Sequence, residues 1–221
     1  TLTTVTITLT WTEPWVGPPA AHLLRGAVAA AFPDNDLFHQ HTAKGKPIYR
    51  YPRIHYRWDP GSGDGIIAGF DDGAKALAQL FVSDLELRLG ERPVVVRDAH
   101  VHFSSCEIRI LPGLKRYRFR SPWLPLNQQN YERYRVMSRV EQVAELDRIA
   151  VGNILSALKG FGIHVDERVY AAFVPRRRLS CRYKDQNLTG FLGTIIANVD
   201  IPNGFALGKA VSHGYGWIEG W

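Results

Sequence analysis

Residues 1–10 read Thr1-Leu2-Thr3-Thr4-Val5-Thr6-Ile7-Thr8-Leu9-Thr10, with Leu, Val or Ile alternating against threonine. An apolar period of two belongs to a half-buried strand, because successive side chains leave a strand on opposite faces. A secretory leader would instead show an unbroken apolar stretch, so a strand is the reading here. Working outward, Leu23, Leu24, Ala27, Val28 and Ala31 follow Gly17-Pro18-Pro19 at helical spacing and stop before Pro33. Phe32 to Gly45 reads as a polar loop. Lys46–Trp58 predicts a strand, Asp59 to Gly65 a turn, and Ile66–Phe70 another strand. Asp71-Asp72-Gly73 precedes a helix over Ala74–Phe81, and strands are expected at Leu85–Leu89 and Pro93–Phe103. The order is β-α-β-β-α-β.

The second half repeats that order more loosely. Cys106–Leu111 and Lys115–Arg120 flank Pro112-Gly113 and predict a hairpin. Val140–Phe161 is the strongest helical pattern, with Val143, Leu146, Ile149, Ala150, Ile154 and Leu158 on one face and Gly160 and Gly162 at its end. Strands are predicted at Val169–Val174, Leu179–Tyr183 and Leu188–Val199, followed by a glycine-rich loop and a short last strand. The expected fold class is α+β, two tandem ferredoxin-like (RRM-type) domains over residues 1–104 and 105–221.

A 221-residue chain with 45% hydrophobic and 22% charged residues excludes disordered, collagen-like and coiled-coil classes. No apolar run approaches the roughly 20 residues of a membrane helix. Two cysteines, Cys106 and Cys181, are too few for a disulfide scaffold and suit a reducing cytoplasm. Charge is uneven along the chain. Residues 1–103 hold ten Lys and Arg against eleven Asp and Glu, whereas residues 104–221 hold seventeen against ten. The C-terminal part, at +7, therefore suits a polyanion.

Four constellations are candidates for chemistry. His39-Gln40-His41, followed by Lys44, Lys46, Tyr49, Arg50 and Tyr51, offers imidazoles for proton transfer and cations for charge balance. His100 and His102 would share one face of a strand, a metal-ligand geometry that His39, His41 or His55 could complete. No Cys-x-x-Cys or His-Glu-x-x-His accompanies them. Lys115-Arg116-Tyr117-Arg118-Phe119-Arg120, Arg176-Arg177-Arg178 and Arg182-Tyr183-Lys184 interleave cations with rings, suiting phosphate pairing and base stacking. Finally, the glycines between Pro202 and Gly216 free backbone amides to approach a phosphate, without the spacing of a P-loop or dinucleotide fingerprint.

Leu207-Gly208-Lys209 followed by Ser212-His213-Gly214-Tyr215-Gly216 resembles the C-terminal glycine-rich loop of the Cas6 group of CRISPR-associated proteins. Leu24-Arg25-Gly26, Phe32-Pro33, Leu37-Phe38-His39-Gln40-His41 and Ile48-Tyr49-Arg50-Tyr51-Pro52 resemble the Cas6b-like N-terminal domain in their order. The resemblance implies metal-independent endoribonuclease cleavage of CRISPR precursor RNA within each repeat. The RNA's own 2′-hydroxyl is then the nucleophile, and the products carry a 2′,3′-cyclic phosphate and a 5′-hydroxyl. It places His39 and His41 in the family's histidine block and Tyr49 or Tyr51 at its tyrosine. To these the residues themselves add Lys44 and Lys46 as phosphate stabilisers.

The RNA contacts expected from this reading are Lys115, Arg116, Arg118, Arg120, Arg176, Arg177, Arg178, Gly208, Lys209, Ser212, Gly214 and Gly216. No cofactor and no metal are implied. The partner is CRISPR repeat RNA, with other CRISPR-associated subunits and a homodimer left open. Two alternatives stand beside it: a repeat-binding protein of the same fold without catalysis, and a metal-dependent hydrolase using the His-x-His pairs.

Overall fold

The computed structural model describes residues 1–33, 36–39, 51–80 and 85–221, with the side chains of Asp36 and His39 left out. The order of elements is β1 (Leu2–Trp11), α1 (Ala21–Ala31), α2 (Asp36–His39), β2 (Ile54–Trp58), β3 (Gly65–Phe70), α3 (Asp72–Ala78), β4 (Glu86–Leu89), β5 (Arg92–Cys106), β6 (Arg109–Phe119), α4 (Gln128–Arg135), α5 (Arg139–Gly160), β7 (Ala171–Tyr183), β8 (Gln186–Asp200) and β9 (Ile218–Gly220). No helix among the described residues is long and apolar enough to cross a membrane.

Two compact units divide the chain: residues 1–106 with 212–214, and residues 107–211 with 215–221. In the first, one antiparallel sheet runs β2-β3-β1-β5-β4. Without the edge strand β4 this is the ferredoxin-like order, with β1 and β3 central. The alternation read in residues 1–10 is physical. Val5, Ile7 and Leu9 are buried in a core shared with Leu24, Val28, Tyr56 and Leu77, while the alternate threonines leave by the other face. The predicted polar loop is shorter than expected, because Asp36–His39 forms a turn of helix. Phe38 drives it, burying its ring against the core 6.0 Å from Phe32.

The second unit's sheet runs β7-β8-β6-β9, again a ferredoxin-like order. Its second crossover helix is replaced by the glycine-rich tail, which holds only one 3-10 turn at Val211–His213. The helix α5 begins at a capping box: the Ser138 hydroxyl accepts from the Glu141 amide, and the Glu141 carboxylate accepts from the Ser138 amide at 2.7 Å. Trp123, fully buried, stacks on Phe119 at 5.6 Å and meets Phe173 edge-on at 4.8 Å.

Three further expectations change. Pro112-Gly113 does not turn a hairpin; β6 runs through it. Ile110 pairs with Val199 and Lys115 with Ala197, so the dipeptide lies in a wide irregularity of one strand. The expected strands Val169–Val174, from Ala171 onward, and Leu179–Tyr183 are likewise parts of one strand, β7, with Pro175 beside a register shift. Proline is tolerated there because β7 is an edge strand. The helix α4 was not expected at all; Asn127 caps it by accepting from the Asn130 amide at 2.7 Å.

Candidate nucleic-acid interface

The second unit carries its cations on a sheet in which the last five residues of β6, Lys115 to Phe119, alternate between faces. Tyr117 and Phe119 are buried, so neither ring is available to stack on a base, contrary to the expectation from their interleaving. The Tyr117 hydroxyl donates to the Val199 carbonyl at 2.6 Å and accepts from the Ile201 amide at 2.9 Å. Arg116 and Arg118 are exposed on the opposite face, beside Ile196 and Thr194 of β8. Arg118 lies over the Trp221 ring, and Arg120 over Trp217 with Glu219 at 3.6 Å. Lys115 differs from these: its ammonium is held by Asp200 at 2.6 Å, which raises its pKa.

The arginine run Arg176–Arg178 is split by the irregularity in β7. Arg177 pairs in register with Leu192, on the face shared by Arg116 and Arg118, whereas Arg178 pairs with the core residue Phe191. The Arg178 guanidinium sits over Phe191 at 5.4 Å and over Tyr134 at 5.6 Å, and donates to the Tyr134 hydroxyl at 3.3 Å. Arg176 and Arg177 are exposed, and with Arg139 and Arg178 they line a groove of about 460 Å³. A guanidinium held between two rings has already lost much of its rotamer freedom, which suits it to a phosphate.

The glycine-rich tail needs its glycines for the protein's own packing. A Cβ on Gly208, at φ +94°, would stand 2.7 Å from the Trp123 indole. One on Gly214, at φ +95°, would meet the Ala21 Cβ at 2.5 Å. The Gly216 amide donates to the Pro122 carbonyl at 2.9 Å, and the Lys209 amide to the Leu124 carbonyl at 3.2 Å, while the Lys209 side chain is exposed. Ser212 is buried with its hydroxyl 3.1 Å from His213 Nδ1.

In the first unit His41, Tyr49, Lys44 and Lys46 lie outside the described residues, as does the His39 side chain. Tyr51 is described: half-buried, with its ring 5.5 Å from that of His55. His55 and Arg57 are both buried on one face of β2. His55 Nε2 stands 3.1 Å from the Pro52 carbonyl, and Nδ1 stands 3.3 Å from an Arg57 nitrogen. Burial foremost, and then the Arg57 charge, hold the His55 pKa well below the usual imidazole value. Burial also draws Arg57 down to about 9, which leaves it protonated at neutral pH.

His55 does not complete a metal site with the other pair. It pairs with Ala68, Ala68 with Thr6, and Thr6 with His102, so two strands intervene, a separation of about 14 Å. Among the described residues no three His, Cys, Asp or Glu side chains gather in a metal-holding group.

Two family models match almost the whole chain: the Cas6b N-terminal domain over residues 1–107 and the Cas6b C-terminal domain over residues 110–221. The chain belongs to the Cas6b family. An uncharacterized protein of Methanocaldococcus jannaschii is 33% identical over 142 residues, 64% of this chain and 97% of the relative. A crystal structure of Cas6b superposes with a TM-score of 0.88 at 25% identity, covering 100% of this chain and 99% of the other. A second, of the CRISPR RNA processing endoribonuclease Cas6b, gives 0.75 at 23% identity over 99% and 100%. The Cas6b assignment thus spans both units, including residues 105–190, where the sequence motifs are thin.

Sequence reading missed the buried His55–Arg57 pair as a unit. The alternation in Ile54-His55-Tyr56-Arg57-Trp58 was the signal that could have found it, since it sets both polar side chains on one face.

Proposed function

We propose that this Cas6b protein is an endoribonuclease that cleaves CRISPR precursor RNA within its repeats. The observation that carries the reading is the pair of Cas6b domain matches covering residues 1–107 and 110–221. The exposed arginines of the second unit support it, because Arg116, Arg118 and Arg177 share one open sheet face. Single-stranded RNA bound there would be held through phosphates, with Lys209 adding a further cation from the tail.

In this reading the 2′-hydroxyl oxygen attacks the adjacent phosphorus as the bond from phosphorus to the 5′-oxygen breaks. His39 and His41 between them take the hydroxyl proton and give one to the departing oxygen. Lys46, with Tyr49 or Tyr51, balances the charge that builds on the phosphoryl oxygens. No water is consumed in this step, so the products are a 2′,3′-cyclic phosphate and a 5′-hydroxyl. Tyr51 meets the His55 ring edge-on and interacts electrostatically with the buried Arg57, which supports its place in this reading.

The test is cleavage of an end-labelled repeat RNA in excess EDTA, beside the same RNA carrying a 2′-deoxy sugar at the cut site. Cutting that persists in EDTA and stops on the deoxy substrate is the expected result. Binding without products would make the protein a repeat-binding module. Loss of cutting with EDTA and its return with added metal would make it a metal-dependent hydrolase.

A further inference from the structure

The helix α4 separates two depressions of opposite chemistry in the second unit. Beyond its C-terminal end lies the arginine groove already described. Along its N-terminal turns lies a second cavity of about 510 Å³, bounded by Asn127, Gln128, Gln129, Tyr131, Asn187 and Thr189. Its only charged lining residue is Glu132, whose carboxylate accepts from Arg135 at 2.5 Å. With no cation facing it, this cavity is a poor site for a phosphate.

Its polar groups are nevertheless arranged to be read. Gln128 and Gln129 come from α4 and Asn187 from the start of β8, and all three side chains are exposed. None of these amides makes a hydrogen bond with another described residue. Each carries a donor and an acceptor side by side, the pattern that matches a base edge. The Tyr131 ring lies beside them and stacks on Tyr134 at 6.4 Å with the planes 28° apart. Tyr134 in turn underlies Arg178, so one run of stacked groups leads from the neutral cavity into the arginine groove.

Resting on the reading of this chain as a repeat-RNA enzyme, we propose that the α4 cavity takes one unpaired base of the bound RNA. The base stacks on Tyr131 and is read along its edge by Gln128, Gln129 and Asn187, while Arg177 and Arg178 hold neighbouring phosphates. The Glu132 carboxylate on the rim accepts from an exocyclic amino group, so adenine, cytosine or guanine fits better than uracil. The cavity therefore contributes sequence selectivity and the groove contributes affinity.

The experiment is equilibrium binding of the intact protein to repeat RNAs in which each nucleotide in turn is made abasic. The unmodified protein should lose about tenfold at one position that the scan identifies. In the variant Gln128→Ala/Gln129→Ala/Asn187→Ala, affinity for the intact repeat should fall by a similar factor, and the abasic site at that position should cost nothing more. Its melting temperature should stay unchanged, because the three side chains are exposed. Arg177→Ala/Arg178→Ala should instead weaken binding to every RNA in the scan alike. The proposal is overturned if the triple amide variant keeps the full position-dependent loss, or binds the intact repeat as tightly as the unmodified protein. If the unmodified protein binds no repeat RNA, the RNA reading itself fails and this assignment with it.

Discussion

His55 Nδ1 lies 3.3 Å from a guanidinium nitrogen of Arg57, with both side chains buried on the same face of β2. A guanidinium only donates, so Nδ1 is the acceptor and the ring proton sits on Nε2, which donates to the Pro52 carbonyl. The pair fixes the tautomer of a neutral imidazole beside a guanidinium that is charged at neutral pH.

This arrangement makes stability sensitive to acid. The folded-state pKa of His55 is lowered, so below about 6.5 the unfolded chain binds more protons than the folded one. Stability from this site is complete above that value and is lost as the pH falls below it. A thermal melting series from pH 7.5 to 5 should show a steep fall for the unmodified protein and a flatter one for His55→Gln, which starts from a lower melting temperature. Equal slopes would remove His55 as the cause.

His41→Ala should slow single-turnover cleavage about 10²- to 10⁴-fold while changing RNA affinity little, because in the proposed reaction the imidazole acts on a proton in transfer. His39→Ala should act in the same direction. The rate profile of the unmodified protein should carry a limb between about pH 6 and 7. Normal cutting by the double variant would end the assignment.

Gly208→Val should lower melting temperature and RNA binding together, since its Cβ would strike Trp123 at a φ of +94°. Lys209→Ala should leave melting alone and weaken binding, reducing the slope of log K against log salt by about 0.7. A Gly208 variant that melts normally but fails to bind would place the glycine against RNA instead.

Replacing Arg176, Arg177 and Arg178 by Ala should flatten that salt slope by about one to two units. The matched control, Lys75, Arg88 and Arg97 replaced together, removes the same charge from exposed positions of the first unit and should barely change it. Equal shifts from both triples would reduce the basic half to a solubility feature.

What the sequence made legible was whatever obeys one period without interruption. The threonine alternation of β1 and the apolar stripe of α5 from Leu146 to Leu158 were both readable, because each buries one continuous face, whereas Val143, read into the same stripe, is exposed. The helix α4 was not, since Gln128-Gln129-Asn130-Tyr131-Glu132-Arg133-Tyr134-Arg135 buries only Tyr134 and shows no stripe. The arginine run looked like one patch, yet successive strand residues take opposite faces, and the register shift at Pro175 decides that Arg177 takes the Arg116 face and Arg178 the core face. Parity fails at any inserted residue, and nothing in Pro175-Arg176-Arg177 announces the insertion. Tyr117 and Phe119 were misread for the opposite reason: rings between arginines suggest stacking platforms, but a strand with one dry face needs them inside.

The grouping of Ser212–Gly214 with residues 1–106 bears on how the polypeptide is made. A ribosome releases the N-terminal hundred residues long before it reaches Gly214, so that unit must wait with Ala21 and the Tyr56 carbonyl, which a Cβ at 214 would approach, uncovered. Its last piece arrives only after residues 107–211 of the other unit have been synthesised. Completion of the first unit is therefore tied to translation of the second, and a fragment ending at residue 107 would be permanently short of three residues of its own body.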